Sequence, residues 1–240
     1  MMLQTFSAHT IFFLDFDDTL IESQPDPTCF DIPEDLRATI RALSLDTAIR
    51  FALVTGRSVD QIDRFFSPFQ CPVIGCHGCE QRLDPKDVPI ALHHEIPELL
   101  HSEIEKIIQH YPNCIIEDKY FTFAVHVPDP ELTCLKEDLD DMLKKQASNY
   151  YLAHYGTCLE IRPNDVAKGD VLARLAGDGG MFCGLNPVYI GDDVGSDSSL
   201  KLLLQFDGTL IPVGTAYANH ELGFDSPSEV RRFLRSLAQQ

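Results

Sequence analysis

Residues 10–16 read TIFFLDF, a continuous apolar run that ends in acidic residues. Such a run is typical of a β-strand that is buried on both faces, as in sheets covered by helices. Because side chains alternate along a strand, Asp15 and Asp17 leave the same face, one as the chain enters the loop and one just beyond. The feature predicts a buried strand with two carboxylates at its end.

Strand-like and helix-like segments alternate around this run, which predicts the α/β class with a parallel sheet. Two helices are predicted to begin at capping boxes, Ser58 with Gln61 and Ser226 with Glu229. The other predicted elements are a helix over 33–43, the strand TAIRFALVT, the strand PVIGC, a helix over 168–176, the strand PVYIG, a helix over 196–204 and the strand TLIPV.

The alternation breaks between about residues 84 and 158. A predicted helix over 97–110 precedes two strands, CIIED and YFTFAVHV, and a charged helix over 131–146 precedes two more, YYLAH and CLEIR. This order is that of a small α+β module. We therefore predict a core domain of residues 1–83 and 159–240, with residues 84–158 inserted as a second domain.

Composition excludes several classes of partner. The formal net charge is −18, and no basic stripe offsets it, which argues against nucleic acid or an anionic membrane as a partner. No apolar run approaches the roughly 20 residues that cross a bilayer, and the N-terminus lacks a signal-peptide pattern. We predict a cytoplasmic protein whose eight cysteines are reduced. The stretch CHGC at 76–79 resembles half of a zinc or redox motif, but no second pair completes it.

The two acidic residues after the first strand suit acid–base and metal chemistry, because ligands of open parallel sheets bind beyond the carboxyl ends of strands. A divalent cation held by Asp15 would keep it ionised as a nucleophile. Charge repulsion would then favour the protonated form of Asp17, which acts as an acid. A bare Asp-x-Asp pair is also common as an acidic turn, so the assignment depends on further motifs.

Three further motifs follow at the ends of predicted elements. The stretch TGR at 55–57 ends a strand, where a hydroxyl and backbone N–H groups bind phosphoryl oxygens. The pair KG at 168–169 opens a helix, and a buried lysine there would neutralise both nucleophile and phosphate. The stretch GDD at 191–193 offers carboxylate oxygens, which suit Mg²⁺. Together these groups are what phosphoryl transfer needs.

These motifs resemble those of the haloacid dehalogenase superfamily across the whole core. Further stretches narrow the resemblance to the trehalose-6-phosphate phosphatase family, namely GCHGCE at 75–80, EDK at 117–119, AVH at 124–126, EIRP at 160–163 and the closing SPSEVRRFLRSL. The resemblance implies a Rossmann-like parallel-sheet core with an inserted α+β cap of the C2B type. It also implies hydrolysis of trehalose 6-phosphate to trehalose and phosphate through an aspartyl-phosphate intermediate with Mg²⁺.

The resemblance implies roles for individual residues. The catalytic residues would be the nucleophile Asp15, the general acid/base Asp17, and the phosphoryl-binding Thr55 and Lys168. Mg²⁺ would be held by Asp15, by Asp17 through its backbone carbonyl, and by Asp192 and Asp193. Sugar hydroxyls or phosphate would be bound by Gly56, Arg57, His77, Gly78, Glu80, Glu117, Lys119, His126, Glu160 and Arg162.

The chain departs from the family at three places. Asp18 stands where the family usually has glycine, and serines at 196 and 198 replace acids, so Asp197 is a candidate for the outer metal shell. Val127-Pro128 replaces an arginine of the cap.

Two alternatives to the trehalose phosphate assignment stay open. One is a sugar phosphatase of the same cap type that acts on sucrose phosphate or a mannosyl phosphate. The other is a catalytically silent protein that binds a sugar phosphate, although the intact set Asp15, Asp17, Thr55 and Lys168 favours turnover. The sequence leaves the oligomeric state open.

Overall fold

The computed structural model describes residues 9–22, 24, 30–46, 49–215 and 222–239. These residues form two compact units. The core unit ends at Ile90 and resumes at Ala167, and the inserted unit is Ala91–Val166. The predicted boundaries at 83/84 and 158/159 therefore precede the observed ones. The second boundary differs because the strand Cys158–Pro163 pairs along its whole length with a strand of the inserted unit.

Within the described residues, the core unit contains a seven-stranded sheet with strands numbered along the whole chain. They are β1 (Thr10–Leu14), β2 (Arg50–Val54), β3 (Val73–Gly75), β4 (Glu80–Arg82), β5 (Ile90–Ala91), β10 (Asn186–Gly191) and β11 (Thr209–Pro212), in the spatial order β11-β10-β1-β2-β3-β4-β5. The predicted parallel sheet is confirmed for β11, β10, β1, β2 and β3. By contrast, β4 runs antiparallel to β3. Neither β4 nor β5 was predicted, because two or three residues are too few to show an alternating pattern.

Helices cover the core sheet because its strands present apolar side chains on both faces. Phe12 and Leu14 of β1 join one buried cluster with α1 (Glu34–Leu45), α2 (Val59–Phe66) and α6 (Pro227–Leu237). Phe13 points to the other face, where its ring meets Phe182 edge-on at 5.8 Å. On the chain after the insertion, α5 (Lys168–Ala176) contacts the 3-10 helix Ser198–Phe206.

Three local predictions for the core unit have different outcomes. The capping box at Ser58 is confirmed, since its hydroxyl accepts from Gln61 N at 3.2 Å and Gln61 Oε1 accepts from Ser58 N at 2.9 Å. The box at Ser226 is wrong, because that hydroxyl pairs with the Ser228 hydroxyl instead. The helix predicted over 196–204 is the 3-10 helix Ser198–Phe206. Residues 47–48 of the predicted strand TAIRFALVT lie outside the described residues.

The inserted unit has the predicted order of one helix, two strands, one helix and two strands. Its elements are α3 (Glu98–Ile108), β6 (Ile115–Asp118), β7 (Phe123–His126), α4 (Asp129–Gln146), β8 (Tyr150–Tyr155) and β9 (Cys158–Pro163), with antiparallel strands in the order β6-β7-β9-β8. Phe123, Val125, Leu159 and Ile161 pack against both helices on one face. The opposite face, called the polar face, carries Glu117, Ala124, Glu160 and Ala153 in one cross-strand row.

Two predictions about the chain as a whole concern its thiols and membranes. Cys71, Cys76 and Cys79 are buried and stand outside any disulfide, and burial raises the pKa of Cys71 to about 12. Cys71 packs in the apolar core just before β3, as the small-apolar interpretation predicts, whereas Cys76 Sγ donates to Glu80. In the part of the chain that the structure describes, no helix combines the length and apolar character of a membrane span. The cytoplasmic location stays a prediction.

Candidate active site

Asp15 directly follows β1 and is 5% exposed, so its carboxylate is shielded from water. Its amide donates to Ile190 O at 2.9 Å, which holds the residue at the end of the sheet. Lys168 Nζ donates to Oδ1 at 2.8 Å, and Thr19 Oγ1 donates to Oδ2 at 3.3 Å. Burial raises the pKa of Asp15 well above its usual range, and the Lys168 charge opposes this rise. Ionised Asp15 therefore needs positive charge nearby.

Lys168 is the first residue of α5 and is 4% exposed. Its ammonium donates to Asp15, to Asp193 Oδ2 at 2.7 Å and to the Tyr189 hydroxyl oxygen at 3.3 Å. Burial acts to lower the pKa of Lys168, but the charges of Asp15 and Asp193 outweigh burial and raise it. The side chain is therefore a fixed positive charge beside the nucleophile candidate.

Asp193 is held from two sides. The Tyr189 hydroxyl donates to its Oδ1 at 2.7 Å, while Lys168 occupies Oδ2. Burial acts to raise the pKa of Asp193, but the charge and hydrogen bond of Lys168 lower it overall. Asp193 is thus an ionised carboxylate whose orientation is fixed by two donors.

Three carboxylates converge here, and we call them with Lys168 the core cluster. Asp15, Asp192 and Asp193 each offer an oxygen within 4.8 Å of the others. Burial raises the pKa of Asp192. Lys168 Nζ hydrogen-bonds to two of these acids, Asp15 and Asp193. The excess of buried carboxylate oxygens over positive charge fits a divalent cation of the hard type, such as Mg²⁺.

The side chains of Asp17 and Asp197 lie outside this carboxylate group. Asp197 Oδ1 accepts from Ser199 N at 2.9 Å and from Ser199 Oγ at 2.6 Å, so it caps the 3-10 helix Ser198–Phe206. The geometry therefore gives Asp197 a local structural role. Asp18 has a φ of 53°, the left-handed region where glycine is favoured and aspartate is tolerated, which explains why the family usually has glycine there.

Asp17 is paired with Arg57, a residue predicted to bind substrate. Arg57 Nε donates to Asp17 Oδ2 at 2.9 Å and Nη2 donates to Oδ1 at 2.7 Å, the geometry of a bidentate pair. The guanidinium also lies over the rings of Phe16, Phe30 and Phe65, at 5.8, 5.1 and 5.2 Å from their centroids. Arg57 thereby fixes the general acid/base candidate at the end of β1.

The predicted residues around Thr55 and His77 meet through backbone hydrogen bonds. His77 N donates to Thr55 O at 2.9 Å, and Cys76 N donates to Arg57 O at 2.9 Å. The imidazole of His77 packs on Gly56, where a Cβ would lie 2.4 Å from Nε2. A side chain at position 56 would therefore displace the His77 imidazole, and Gly78, at φ 112°, is favoured by its backbone conformation. Thr55 is fully buried, and its Oγ1 accepts from Arg57 N at 3.1 Å.

Glu80 opens β4, and its carboxylate is used within the core unit. Its Oε1 accepts from Val59 N at 2.8 Å, at the first turn of α2, and from Cys76 Sγ at 3.5 Å. Burial raises the pKa of Glu80. Its role as a sugar ligand stays a prediction, since the structure shows it supporting the start of a helix.

The predicted residues of the inserted unit form a second ionic group on the polar face. Glu160 is 3% exposed and lies at its centre. Its Oε1 accepts from Lys119 Nζ at 3.1 Å and from Thr122 Oγ1 at 2.9 Å, and its Oε2 accepts from Arg162 Nε at 2.9 Å and Nη2 at 2.6 Å. Burial acts to lower the pKa of Arg162, but the charge of Glu160 outweighs it and raises the pKa.

Glu117 completes this group. Its Oε2 lies 3.9 Å from Lys119 Nζ and 2.8 Å from His126 Nε2. We call Glu117, Lys119, Glu160 and Arg162 the sheet cluster. It holds two carboxylates and two cations, so its formal charge is balanced. Val127-Pro128 stands where the family resemblance implies an arginine. Val127 N donates to Thr157 O at 2.9 Å, and Pro128 directly precedes α4, so both residues have local structural roles.

Four residues of these clusters had no predicted role. Thr19 bridges Asp15 and the backbone of Asp192, because its Oγ1 accepts from Asp192 N at 3.0 Å. The others are Tyr189, Thr122 and Tyr155, whose hydroxyls meet Asp193, Glu160 and Arg162. A polar hydroxyl inside an apolar strand, as in PVYIG, was the available signal, because buried hydroxyls need partners.

Comparison with known proteins agrees with this arrangement. The chain matches the trehalose-phosphatase family model over residues 13–216. It is 31% identical over 231 residues to a probable trehalose-phosphate phosphatase of Sinorhizobium fredii, covering 94% of this chain and 86% of that protein. It is 28% identical over 216 residues to the trehalose-6-phosphate phosphatase of Escherichia coli, covering 87% of this chain and 79% of that protein.

Solved structures share the fold. The C-terminal domain of Candida albicans trehalose-6-phosphate phosphatase aligns with a TM-score of 0.75 at 18% identity, covering 96% of this chain and 92% of that one. A trehalose-6-phosphate phosphatase related protein aligns with a TM-score of 0.77 at 18% identity, covering 96% and 97%. The predicted α/β core with an inserted α+β cap is confirmed. Because the family model matches most of the length of this chain, the chain belongs to the trehalose-phosphatase family.

Proposed function

We propose that this chain is a Mg²⁺-dependent phosphatase that hydrolyses trehalose 6-phosphate to trehalose and phosphate. The observation that carries the proposal is the core cluster, in which a buried carboxylate at a strand end contacts a buried lysine and two further acids. Membership of the trehalose-phosphatase family supports the choice of substrate.

In the proposed first step, an oxygen of Asp15 forms a bond to phosphorus and the bond from phosphorus to the sugar oxygen breaks. Asp17 gives its proton to the departing sugar oxygen, and an aspartyl phosphate forms on Asp15. In the second step water attacks phosphorus, Asp17 takes the proton, and phosphate leaves with the Asp15 carboxylate restored. To reach the sugar oxygen, Asp17 gives up hydrogen bonds to Arg57.

Other residues of the core unit stabilise the transferred group. Lys168 offsets the negative charges of Asp15 and the phosphoryl oxygens. The Thr55 hydroxyl already accepts from Arg57 N, which orients its own proton for donation to a phosphoryl oxygen. Asp15, Asp192 and Asp193 would hold Mg²⁺, which supplies charge neutralisation for the phosphoryl oxygens when bound.

The sheet cluster is proposed to bind the sugar. Its two carboxylates and two cations balance, so it attracts neither a phosphate nor a metal ion by net charge. A neutral, hydroxyl-rich ligand suits such a group, because Glu117 and Glu160 accept and Lys119 and Arg162 donate. Fixed hydrogen bonds would also compensate for the electrostatic repulsion between an anionic substrate and a chain with a net charge of −18.

The test is phosphate release from a panel of sugar phosphates with Mg²⁺. Trehalose 6-phosphate should be hydrolysed with the highest kcat/KM, ahead of sucrose phosphate, a mannosyl phosphate and glucose 6-phosphate. A higher kcat/KM for another sugar phosphate of the panel would change the proposed substrate but would leave the proposed phosphatase activity standing. Tight binding of the panel without phosphate release would identify a silent binding protein. The absence of nucleic-acid and membrane partners stays a prediction.

A further inference from the structure

Two exposed tyrosines lie on the polar face beside the sheet cluster. Both belong to β8, where Tyr151 pairs with Arg162 and Tyr155 pairs with Cys158 across to β9. Tyr151 is 41% exposed and Tyr155 is 50% exposed. Their side chains share this face with Glu160, because residues two and four apart on a strand point the same way. The edge of the polar face is therefore aromatic.

The floor between the two tyrosines is made of small side chains. Ala153 lies between them on β8, and it pairs with Glu160, which in turn pairs with Ala124 on β7. Both alanines are buried. Residues four apart on a strand are separated by about 13 Å. The tyrosines thus flank the part of the polar face that carries Glu160 and Arg162, and the Arg162 side chain reaches from its position opposite Tyr151 to the Tyr155 hydroxyl.

Tyr155 is oriented by its contact with Arg162. Arg162 Nη1 donates to the Tyr155 hydroxyl at 3.0 Å, and the guanidinium carbon lies 4.9 Å from the centroid of the ring. Half of the residue stays exposed even with this contact. A rigid aromatic side chain that is pre-oriented and still accessible loses little conformational entropy on binding a ligand.

The combination matches the chemistry of a pyranose ring. A pyranose carries hydroxyls at its edge and C–H groups on its faces, so it is bound by hydrogen-bonding groups together with an aromatic surface. Small-molecule sites in general combine aromatic walls with a few oriented polar groups. The sheet cluster provides acceptors and donors, and its balanced charge favours a ring that bears no phosphate.

We infer that Tyr151 and Tyr155 form an aromatic subsite for the phosphate-free glucose ring of trehalose 6-phosphate, next to the hydroxyl-binding sheet cluster. This inference rests on the proposed function. It assigns the choice of a disaccharide over a single sugar to these two side chains. A substrate that lacks the second ring should then be insensitive to their removal.

The experiment compares Tyr151→Ala and Tyr155→Ala with wild type on three substrates. KM for trehalose 6-phosphate should rise about tenfold in each variant, the loss expected when one aromatic contact disappears, with kcat little changed. kcat/KM for glucose 6-phosphate and for p-nitrophenyl phosphate should stay within about twofold of wild type. Tyr155→Phe keeps the ring and should keep the wild-type KM within about twofold.

Ile116→Ala is the matched control, because Ile116 is an exposed apolar residue of the same sheet that pairs with Val125 on the helix-covered face. It should leave all three substrates unaffected. Equal losses on all three substrates in the tyrosine variants would overturn the subsite in favour of a structural role. Unchanged KM for trehalose 6-phosphate in both alanine variants would also overturn it.

Binding of trehalose itself separates this inference from the proposed function. Saturation-transfer NMR on the wild-type chain should show trehalose protons close to aromatic protons, and Tyr155→Ala should lose most of that signal. If wild type released no phosphate from trehalose 6-phosphate but trehalose binding depended on the tyrosines, the proposed function alone would fail. If wild type hydrolysed the substrate and the NMR signal did not depend on the tyrosines, the subsite alone would fail.

Discussion

The core cluster and the sheet cluster both bury charged side chains, but they differ in charge balance. In the core cluster as the described residues form it, three acids (Asp15, Asp192 and Asp193) lie together, and the ammonium of Lys168 donates to Asp15 and Asp193. In the sheet cluster, two glutamates are matched by Lys119 and Arg162. The core cluster therefore has excess negative charge in a place that is shielded from water, whereas the formal charges of the sheet cluster cancel.

This difference indicates what each cluster is arranged to do. Excess buried carboxylates are costly, and burial accordingly raises the pKa of Asp15 and Asp192. Buried carboxylates that destabilise the fold are candidates for a catalytic role, since carboxyl groups with shifted pKa values are common at functional sites. A balanced and hydrogen-bonded network carries no such excess, so it suits recognition of a neutral ligand. The same residue types are therefore proposed to serve chemistry in one unit and sugar binding in the other.

The largest expected effect is that of Asp15→Asn. We expect kcat to fall by on the order of 10⁵-fold, because a neutral amide does not attack phosphorus. The melting temperature should stay the same or rise, since the variant removes a carboxylate whose ionisation burial disfavours. Phosphate release and thermal unfolding measured on one preparation test both parts. Wild-type phosphate release would sink the covalent mechanism.

The second-largest expected effect is that of removing Mg²⁺, which tests whether a cation neutralises the excess negative charge of the core cluster. Activity should disappear in excess chelator and return with Mg²⁺, while Ca²⁺ should inhibit, because the larger ion takes more oxygens and would occupy both of those of Asp15. Mg²⁺ should also raise the melting temperature of wild type but not of Asp192→Asn. Full activity in chelator, or an equal thermal shift in the variant, would contradict the metal assignment.

Glu160→Gln should show the opposite pattern to Asp15→Asn, although both replace a buried acid by its amide. Here the change leaves Lys119 and Arg162 as buried cations without their carboxylate, and we expect a loss of about 3 kcal/mol in the free energy of unfolding. Urea denaturation measures it, with the exposed Glu137→Gln on α4 as a control. Equal stability of the Glu160 variant and wild type would mean that balance does not stabilise the sheet cluster.

The double variant Glu117→Gln with Lys119→Met should have the smallest effect, since it removes one charge of each sign. We expect kcat/KM for trehalose 6-phosphate to fall by about five- to 150-fold, which corresponds to about 1 to 3 kcal/mol of transition-state stabilisation. Hydrolysis of p-nitrophenyl phosphate should change little. Parallel losses on both substrates would make the pair structural, and no loss on either would restrict the proposal to a sugar phosphatase.

Much of the fold was predictable because it depends on local patterns. Buried strands such as β1 and β10 are apolar over most of their length, and the capping box at Ser58 marks the start of α2 within four residues. Elements without such a pattern were missed. β4 has the polar sequence Glu-Gln-Arg, and its place in the sheet depends on pairing with β3.

The candidate site was predictable only in part, since the motifs gave its residues but not all of their contacts. The motifs identified Asp15, Lys168 and Asp193, because strand ends in a parallel sheet converge on one edge. They predicted Lys168 as the partner of the nucleophile, but they did not predict the partner of Asp17. Arg57 pairs with Asp17, forty positions earlier in the chain, and its role as a substrate ligand stays a prediction.

By itself, the sequence determined the class of fold, the order of elements and the residue types available at each strand end, because these follow from short-range periodicity and from the chemistry of side chains. Only the tertiary structure decided which charges share a cluster. Arg57 meets Asp17 across 40 positions, and Glu160 meets Lys119 across 41. Such distances along the chain carry no local signal. The balance of charge in a cluster is a property of three-dimensional packing, and it is this balance on which the proposed division into a catalytic group and a sugar-binding group depends.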